Sequence, residues 1–111
     1  MNADIIIVGA GMVGSALAVA LKDSGLDVLL LAPFNPQDTF EPRVSALSAA
    51  SQNLLTHLGA WDGILARRAS PYRDMQVWDG SGTGHIHFSA SSTQAEVLGH
   101  IVENRIVQDA L

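Results

Sequence analysis

The chain has 111 residues, of which 48% are hydrophobic, contains no cysteine and carries a formal net charge of −5. This length and hydrophobic content predict one folded domain or part of one and argue against a disordered chain, and the lack of cysteine excludes disulfides and thiolate metal sites. With only six lysines and arginines, the sequence offers no basic face for nucleic acid, and none of its apolar runs reaches the roughly 20 residues of a membrane span.

The beginning of the chain is predicted to form a strand–helix–strand unit. Ile5–Val8 is a β-branched apolar run, which is typical of a strand buried on both faces. Residues 9–11 are predicted to turn the chain, and residues 13–22 have the composition of a helix, which Gly25 would end at its C′ position. Val28–Leu31 is a second apolar strand, and a crossover of this kind predicts that the two strands are parallel.

The middle of the chain is predicted to be extended and then helical. Prolines bracket a polar stretch at residues 33–42, which therefore cannot lie inside a helix. Residues 43–47 are predicted to be extended. Ser48 is a candidate N-cap for a helix that stops at Gly59, and a second short helix is predicted over residues 61–68.

The hydrophobic pattern changes in the last part of the chain. The period changes to two from residue 74 onward, where Met75, Val77 and Asp79 alternate with Gln76 and Trp78. A glycine-rich loop at residues 80–84 follows, and residues 85–89 are predicted to form a second strand. This pattern predicts a β-hairpin. A polar loop, a strand over residues 97–102 and a helix from Glu103 onward are predicted to follow.

The turn between the first predicted strand and the first predicted helix carries a nucleotide-binding motif. Gly9, Gly11 and Gly14 form the pattern G-x-G-x-x-G between the first strand and the first helix. Gly9 would allow a tight turn, Gly11 would let a pyrophosphate approach the backbone, and Gly14 would let the helix pack closely on the strand. The unpaired amides at the helix N-terminus would then bind the phosphates, and no lysine follows the loop as in a P-loop. Dinucleotide binding is predicted; the alternative is that the glycines serve tight packing alone.

The end of the second strand lacks the acid that usually binds the ribose hydroxyls. Ala32 occupies this position and has no acceptor, so a hydrogen bond worth about 1–2 kcal/mol is missing. No basic residue stands there for a 2′-phosphate either. Asp38 or Glu41 could fold back to replace the acid; the alternative is that both are solvated loop residues.

Longer stretches carry a more specific signal. They read RVSALSAASQNLLTHLGAW at residues 43–61, RRASPYRDMQVWDGSGTGHIHF at 67–88 and LGHIVENRIVQDAL at 98–111. With IIIVGAGMVG they resemble the N-terminal part of the flavin-dependent hydroxylases of ubiquinone biosynthesis, above all the octaprenylphenol hydroxylase branch, which are aromatic monooxygenases of the para-hydroxybenzoate hydroxylase type. The resemblance implies that residues 1–111 are a truncated N-terminal portion of the FAD-binding domain. The implied α/β fold is a Rossmann-like βαβ unit with an appended helical segment and β-hairpin, incomplete relative to the family fold.

The resemblance also implies a cofactor site, with the ADP half of FAD lying across the glycine loop. Arg43 matches a family arginine near the flavin and pyrophosphate, although it could instead be a surface arginine paired with Glu41. Asn104 matches a polar cofactor contact, and Arg105 would assist it. The implied cofactor-binding residues are Gly9, Gly11, Met12, Val13, Gly14, Arg43, Asn104 and Arg105. No catalytic residue is assigned, and no metal site is expected.

In enzymes of this family NADPH reduces the FAD, which then activates O₂ to hydroxylate an aromatic ring. The resemblance therefore implies a polyprenylated phenol or another aromatic substrate for the full-length protein. The family chain is several times longer, so this chain alone is expected to be inactive, to bind FAD weakly and to self-associate or contact ubiquinone-pathway proteins. The start of the chain has no signal-peptide pattern, and the lack of cysteine fits a cytoplasmic protein. A peripheral position at the inner membrane is a further expectation.

Two other functions stay open from the sequence: an NAD-binding dehydrogenase domain and a non-catalytic Rossmann-like interaction module that no longer binds nucleotide.

His85 and His87 would lie on one face of a strand, where they are either a metal-binding pair or histidines that face a further domain. Arg67 and Arg68 are interpreted as cations at a helix C-terminus. Ser45 lies in no nucleophile motif and is interpreted as a turn or capping residue.

Overall fold

The structure, a computed structural model, describes residues 2–33, 43–93 and 96–111. The described residues contain both strands and helices, and the predicted α/β class is confirmed. The strands are β1 (Ile5–Val8), β2 (Val28–Leu31), β3 (Val44–Ser48), β4 (Ser70–Tyr72), β5 (Asp74–Trp78), β6 (His85–Ser89) and β7 (Gly99–Glu103). The helices are α1 (Met12–Ala20), α2 (Ala49–His57), α3 (Trp61–Arg67) and α4 (Asn104–Ala110), with a short 3-10 helix at Ala90–Thr93.

β1 and β2 lie side by side and run parallel, with α1 as the crossover between them. The register pairs Ile5 with Val28 and Val8 with Leu31. The amide of Gly9 donates to the carbonyl of Leu31 at 2.7 Å, which extends the pairing to the start of the glycine loop. The predicted strand–helix–strand unit and its parallel strands are therefore confirmed.

The expectation that β1 is buried on both faces is wrong. Ile7 is 8% exposed, whereas Ile6 and Val8 on the opposite face are 57% and 82% exposed. The reason is that α1 lies on one side of the strand pair, where Gly14 comes close to the side chain of Ile7. A strand is buried on both faces where elements cover both sides of its sheet.

The end of α1 also differs from the prediction, because Gly25 is not its C′ residue. The helix ends at Ala20 with Leu21 as its C-cap. The hydroxyl of Ser24 donates to the Leu21 carbonyl at 2.6 Å and so satisfies a group that the helix end leaves unpaired. Gly25 has a φ of +79° and lies in the turn that follows, where its conformational freedom serves the turn.

A second sheet has three antiparallel strands in the order β3–β7–β4. β3 and β7 pair from Val44 with Glu103 to Ser48 with Gly99. β4 was not predicted, because it is three residues long and contains Pro71, which a strand tolerates at a sheet edge. The last strand begins and ends slightly later than the sequence indicates.

The buried core lies between this sheet and the helices α2, α3 and α4. Ile64 and Ile106 are 0% and 1% exposed. The cluster consists of Leu55, Ala60, Trp61, Ile64, Val102, Ile106 and Val107. Ser48 caps α2 by accepting the amide of Ser51 at 3.3 Å, and Gly59 follows this helix with a φ of +82°, so both predicted signals are confirmed.

β5 and β6 form the predicted β-hairpin, with Asp74 opposite Ser89 and Trp78 opposite His85. Four of its apolar side chains share one face, and each is more than a third exposed: Met75, Val77, Ile86 and Phe88. The polar loop predicted after the hairpin is instead a 3-10 helix that begins at Ala90, a buried residue. Of the helices in the described ranges, none is long and apolar enough to cross a membrane.

Candidate cofactor site

The glycine loop turns sharply as it leaves β1. Gly9 has a φ of +107°, a conformation that side chains with a Cβ rarely adopt. Its amide is held by the Leu31 carbonyl of the neighbouring strand at 2.7 Å. The chain is therefore tied to the sheet at the point where it turns towards α1.

Gly14 sets the distance between α1 and the strand below it. A Cβ at this position would lie 2.0 Å from the carbonyl oxygen of Gly9 and 3.4 Å from a methyl group of Ile7. A separation of 2.0 Å is far inside van der Waals contact, so only glycine allows this approach. The geometry agrees with the packing role that the motif assigns to the third glycine.

Gly11 stands in different surroundings, because a Cβ here would meet no atom of the described residues within 4 Å. It is the N-cap of α1, and no side chain in the described part of the chain caps this helix. The first intrahelical amide bond runs from Ser15 to the Gly11 carbonyl at 3.0 Å, so the amides of Met12, Val13 and Gly14 precede the helical ladder. Such amides, with the positive end of the helix dipole, are suited to an anion.

An open cleft of about 490 Å³ borders this loop. Its lining combines the loop with neighbouring apolar side chains: Ile7, Val8, Gly9, Gly11, Met12, Val13, Gly14 and Leu17. Because Gly11 leaves this space open and the helix amides border it, the residues present fit the diphosphate of a dinucleotide such as FAD. A side chain on Gly11 would occupy part of the same space.

A second group of predicted residues meets where β3 begins and β7 ends. The amide of Asn104, the first residue of α4, donates to the carbonyl of Arg43 at 2.9 Å. The hydroxyl of Ser45 donates to Oδ1 of Asn104 at 2.5 Å, across 59 positions of sequence. The structure thus brings Arg43 and Asn104 together, and Arg43 itself is exposed.

The helices that carry these two groups of residues, α1 and α4, pack against each other. α1 and α4 are in contact, and Met12 at the start of α1 packs on the core cluster that contains Val107 of α4. The glycine loop and the Arg43–Asn104 junction therefore belong to neighbouring elements. The roles of these residues towards a cofactor stay predictions.

Arg105, the predicted assistant of Asn104, takes part in an ion-pair group on α4. Its Nε lies 3.8 Å from Oδ2 of Asp109, and Nη1 of Arg67 lies 2.8 Å from the same oxygen. Arg67 occupies the last turn of α3, as its interpretation as a helix-end cation requires. Arg68 follows that helix and is bound by Glu103 through Nε at 3.1 Å and Nη2 at 2.8 Å.

The ribose end of the predicted site has no acid among the described residues that directly follow β2, 32 and 33. Ala32 follows β2 and is exposed. Asp38 and Glu41, the sequence candidates for a substitute, lie outside the described residues. The described residues that directly follow β2 therefore offer no replacement for the missing acceptor.

The histidines have local partners in the described residues. Nε2 of His87 lies 3.0 Å from Oδ1 of Asp74, and the ring of His85 stacks on Trp78 with centroids 5.1 Å apart. The residues that the structure describes contain no group of three or more side chains that could hold a metal ion. His100, which the sequence did not single out, meets Trp61 edge to face at 5.1 Å.

Comparison with known proteins gives the family to which this arrangement belongs. Residues 2–108 match the family model described as FAD binding domain. The chain is 42% identical over 113 residues to the 3-demethoxyubiquinol 3-hydroxylase of Escherichia coli (strain K12). It is 43% identical over 118 residues to the mitochondrial ubiquinone biosynthesis monooxygenase COQ6 of Xenopus tropicalis.

Each alignment covers 97% of this chain but 29% and 25% of the respective relative, so the chain spans about a quarter of their length. The fold is similar to that of Klebsiella pneumoniae HpxO, solved as a complex with FAD, with a TM-score of 0.61 at 23% identity. That similarity covers 97% of this chain and 28% of the solved chain. The resemblance to the ubiquinone-pathway hydroxylases is confirmed, and the chain belongs to the FAD-binding domain family.

Proposed function

We propose that this chain is the FAD-binding N-terminal portion of an NAD(P)H- and O₂-dependent aromatic-ring hydroxylase, whose complete form acts on a polyprenylated phenol in ubiquinone biosynthesis. The names of the two relatives support the pathway and the hydroxylation. The observation that carries the cofactor is the open position at Gly11 beside the uncapped amides of α1. Because the chain spans about a quarter of those relatives, substrate and reductant are proposed for the complete protein.

Each group of proposed binding residues makes a different interaction with FAD. The amides of Met12, Val13 and Gly14 donate to the diphosphate, since they are not used within the helix. Arg43 adds a positive charge at the junction, and the side chain of Asn104 adds a directed hydrogen bond. When bound, FAD supplies the redox chemistry, in which electrons from a nicotinamide are used to activate O₂.

The proposed substrate indicates where the complete protein works. The prenyl tail of such a phenol partitions into a bilayer, at about 0.8 kcal/mol for each buried CH₂. We therefore propose that the complete protein, which we expect in the cytoplasm, makes peripheral contact with the inner membrane. Self-association or contact with other proteins of the pathway would cover apolar residues outside the cofactor site, such as Ile86 of the hairpin, which is 56% exposed here.

The first experiment is a titration of the purified chain with FAD, followed by quenching of flavin fluorescence. We expect saturable binding with a Kd above about 10 μM, because much of the family's cofactor contact lies outside this chain. NAD, titrated in parallel as a competitor, is expected to displace FAD poorly. Strong competition by NAD would favour the dehydrogenase alternative, and no saturation by either ligand would favour a module that binds no nucleotide.

A substitution at Gly11 tests the observation on which the proposal depends. Gly11→Ala places a methyl group in the cleft without touching the described residues, and Gly11 has a φ of −73°, which alanine adopts readily. We expect the stability of the chain to be preserved and its affinity for FAD to fall at least tenfold. Gly80→Ala is the matched control, because a Cβ there also meets no described atom and Gly80 is not among the glycines of positive φ. Equal FAD affinity in the two variants would contradict the proposed diphosphate site.

A further inference from the structure

Ser45 is the second residue of β3 and lies opposite Val102 of β7. Its partly buried hydroxyl donates to Oδ1 of Asn104 at 2.5 Å. Ser45 lies in the stretch 43–61 that carries the family resemblance, but it is not among the predicted cofactor-binding residues. Its interpretation as a turn or capping residue is wrong, because it lies inside β3 and its hydroxyl binds a distant side chain. The bond therefore joins a residue without an assigned role to one of the residues proposed to contact FAD.

The backbone around this pair fixes where the hydroxyl can reach. The antiparallel register of β3 and β7 runs without a break from Val44 to Ser48. One residue before this ladder, the carbonyl of Arg43 accepts the amide of Asn104 at 2.9 Å. The main chain of Asn104 is thus fixed by Arg43, while the orientation of its side-chain amide depends on Ser45.

An asparagine side chain has one oxygen that accepts and one nitrogen that donates. When the hydroxyl of Ser45 occupies Oδ1, the nitrogen Nδ2 is the group that Asn104 has left to offer to a ligand. FAD presents acceptors along its diphosphate and on its ring carbonyls, and these acceptors need a donor.

We propose that Ser45 is a positioning residue that orients the amide of Asn104 so that Nδ2, and not Oδ1, is offered to FAD. This inference rests on the proposed function, because it assumes that FAD is the ligand of Asn104. The pairing of β3 with β7 would then contribute to cofactor binding, because it brings Ser45 next to Asn104 at the start of α4. The cation, Arg43, directly precedes β3, and Ser45, which directs the neighbouring amide, lies within this strand.

The test compares three variants of the chain by FAD titration and thermal unfolding. Ser45→Ala removes the donor, and we expect the Kd for FAD to rise about five- to twentyfold. Ser45→Thr keeps the hydroxyl and suits a strand, so we expect it to recover most of the affinity. Asn104→Asp keeps an acceptor for Ser45 but removes Nδ2, so it is expected to lose at least as much affinity as Ser45→Ala while unfolding at a similar temperature to the wild type.

Two controls separate this inference from a general effect on folding and from the proposed function itself. Ser24→Ala removes a hydroxyl that donates to a carbonyl in an exposed turn, and it is expected to bind FAD like the wild type. A lower unfolding temperature for Ser45→Ala with unchanged affinity for FAD would overturn the inference, as would full affinity in Asn104→Asp. If the wild type binds FAD and Gly11→Ala does not, while Ser45→Ala binds normally, the role of Ser45 fails and the proposed function stands.

Discussion

The unit formed by β1, α1 and β2 and the unit formed by the β3–β7–β4 sheet and its three helices differ sharply in burial. Among the residues of β1, α1 and β2, all of which the structure describes, Ile7 is the buried one. The second unit contains the core cluster, in which Ile64 is fully buried. The amides proposed to bind FAD thus lie in the unit that contributes little to the core.

The packing between the two units is also incomplete. An open apolar groove of about 440 Å³ runs along α1 and α2, with Val13 and Leu17 on one side and Leu54 on the other. Met12 nevertheless packs on the core cluster, so the N-terminus of α1 is fixed better than the rest of its outer face. The comparison indicates that folding depends on the second unit, whereas ligand binding depends on how well α1 stays on its strand.

The largest effect is expected from a cavity in the core. Ile64→Ala removes buried methyl groups, and we expect the free energy of unfolding to fall by about 3 kcal/mol. Ile6→Ala is the matched substitution in the first unit, where the side chain is 57% exposed, and should cost about 1 kcal/mol or less. Urea unfolding followed by circular dichroism measures both. Similar losses in the two variants would contradict the division of stability between the units.

The next effect concerns the contact of α1 with its strand. In Gly14→Ala the new methyl group must move away from the Gly9 carbonyl, because the Cβ would lie 2.0 Å from it. We expect α1 to shift, with a loss of about 2 kcal/mol in stability and loss of detectable FAD binding. Gly11→Ala, by contrast, should lose affinity alone. If Gly14→Ala unfolds like the wild type, α1 can move away from β1 without loss of stability. The close-packing role assigned to Gly14 would then be wrong.

Local signals predicted most of the elements, because the features that specify them lie within a few residues of sequence. The glycine pattern indicated the turn into α1, Ser48 indicated the start of α2, and the alternating run indicated the hairpin. The predictions that were wrong concern where elements end and which of their faces are buried. The prediction that Gly25 ends α1 was wrong, because the helix already ends at Ala20, and the carbonyl of its C-cap Leu21 accepts the hydroxyl of Ser24. The position of a glycine in the sequence does not reveal that a nearby serine binds the helix end instead.

Long-range pairing could not be read from the sequence in the same way. β3 pairs with β7 across more than fifty positions, and no local periodicity specifies that register. The contact of Ser45 with Asn104 follows from it. So does the need for glycine at position 99, where a Cβ would lie 2.2 Å from the carbonyl of Leu47. The resemblance to a family indicated Arg43 and Asn104, but the hydrogen bonds that join them needed the structure.

The smallest effect tests the acid that is missing after β2. Ala32→Glu supplies an acceptor for the ribose hydroxyls at an exposed position, and we expect the Kd for FAD to fall about tenfold, equivalent to about 1.4 kcal/mol. Ala66→Glu, which adds the same charge to an exposed position on α3, should leave the affinity unchanged.

FMN makes this last comparison specific, because it lacks the adenosine ribose. Ala32→Glu should bind FMN no better than the wild type does, so that the gain appears with FAD alone. An equal gain with both flavins would indicate a general electrostatic effect of the new carboxylate. Unchanged affinity for FAD would mean that another acceptor already serves the ribose, with Asp38 and Glu41 as the candidates in the sequence. Substitution of those two residues to asparagine and glutamine would then identify it.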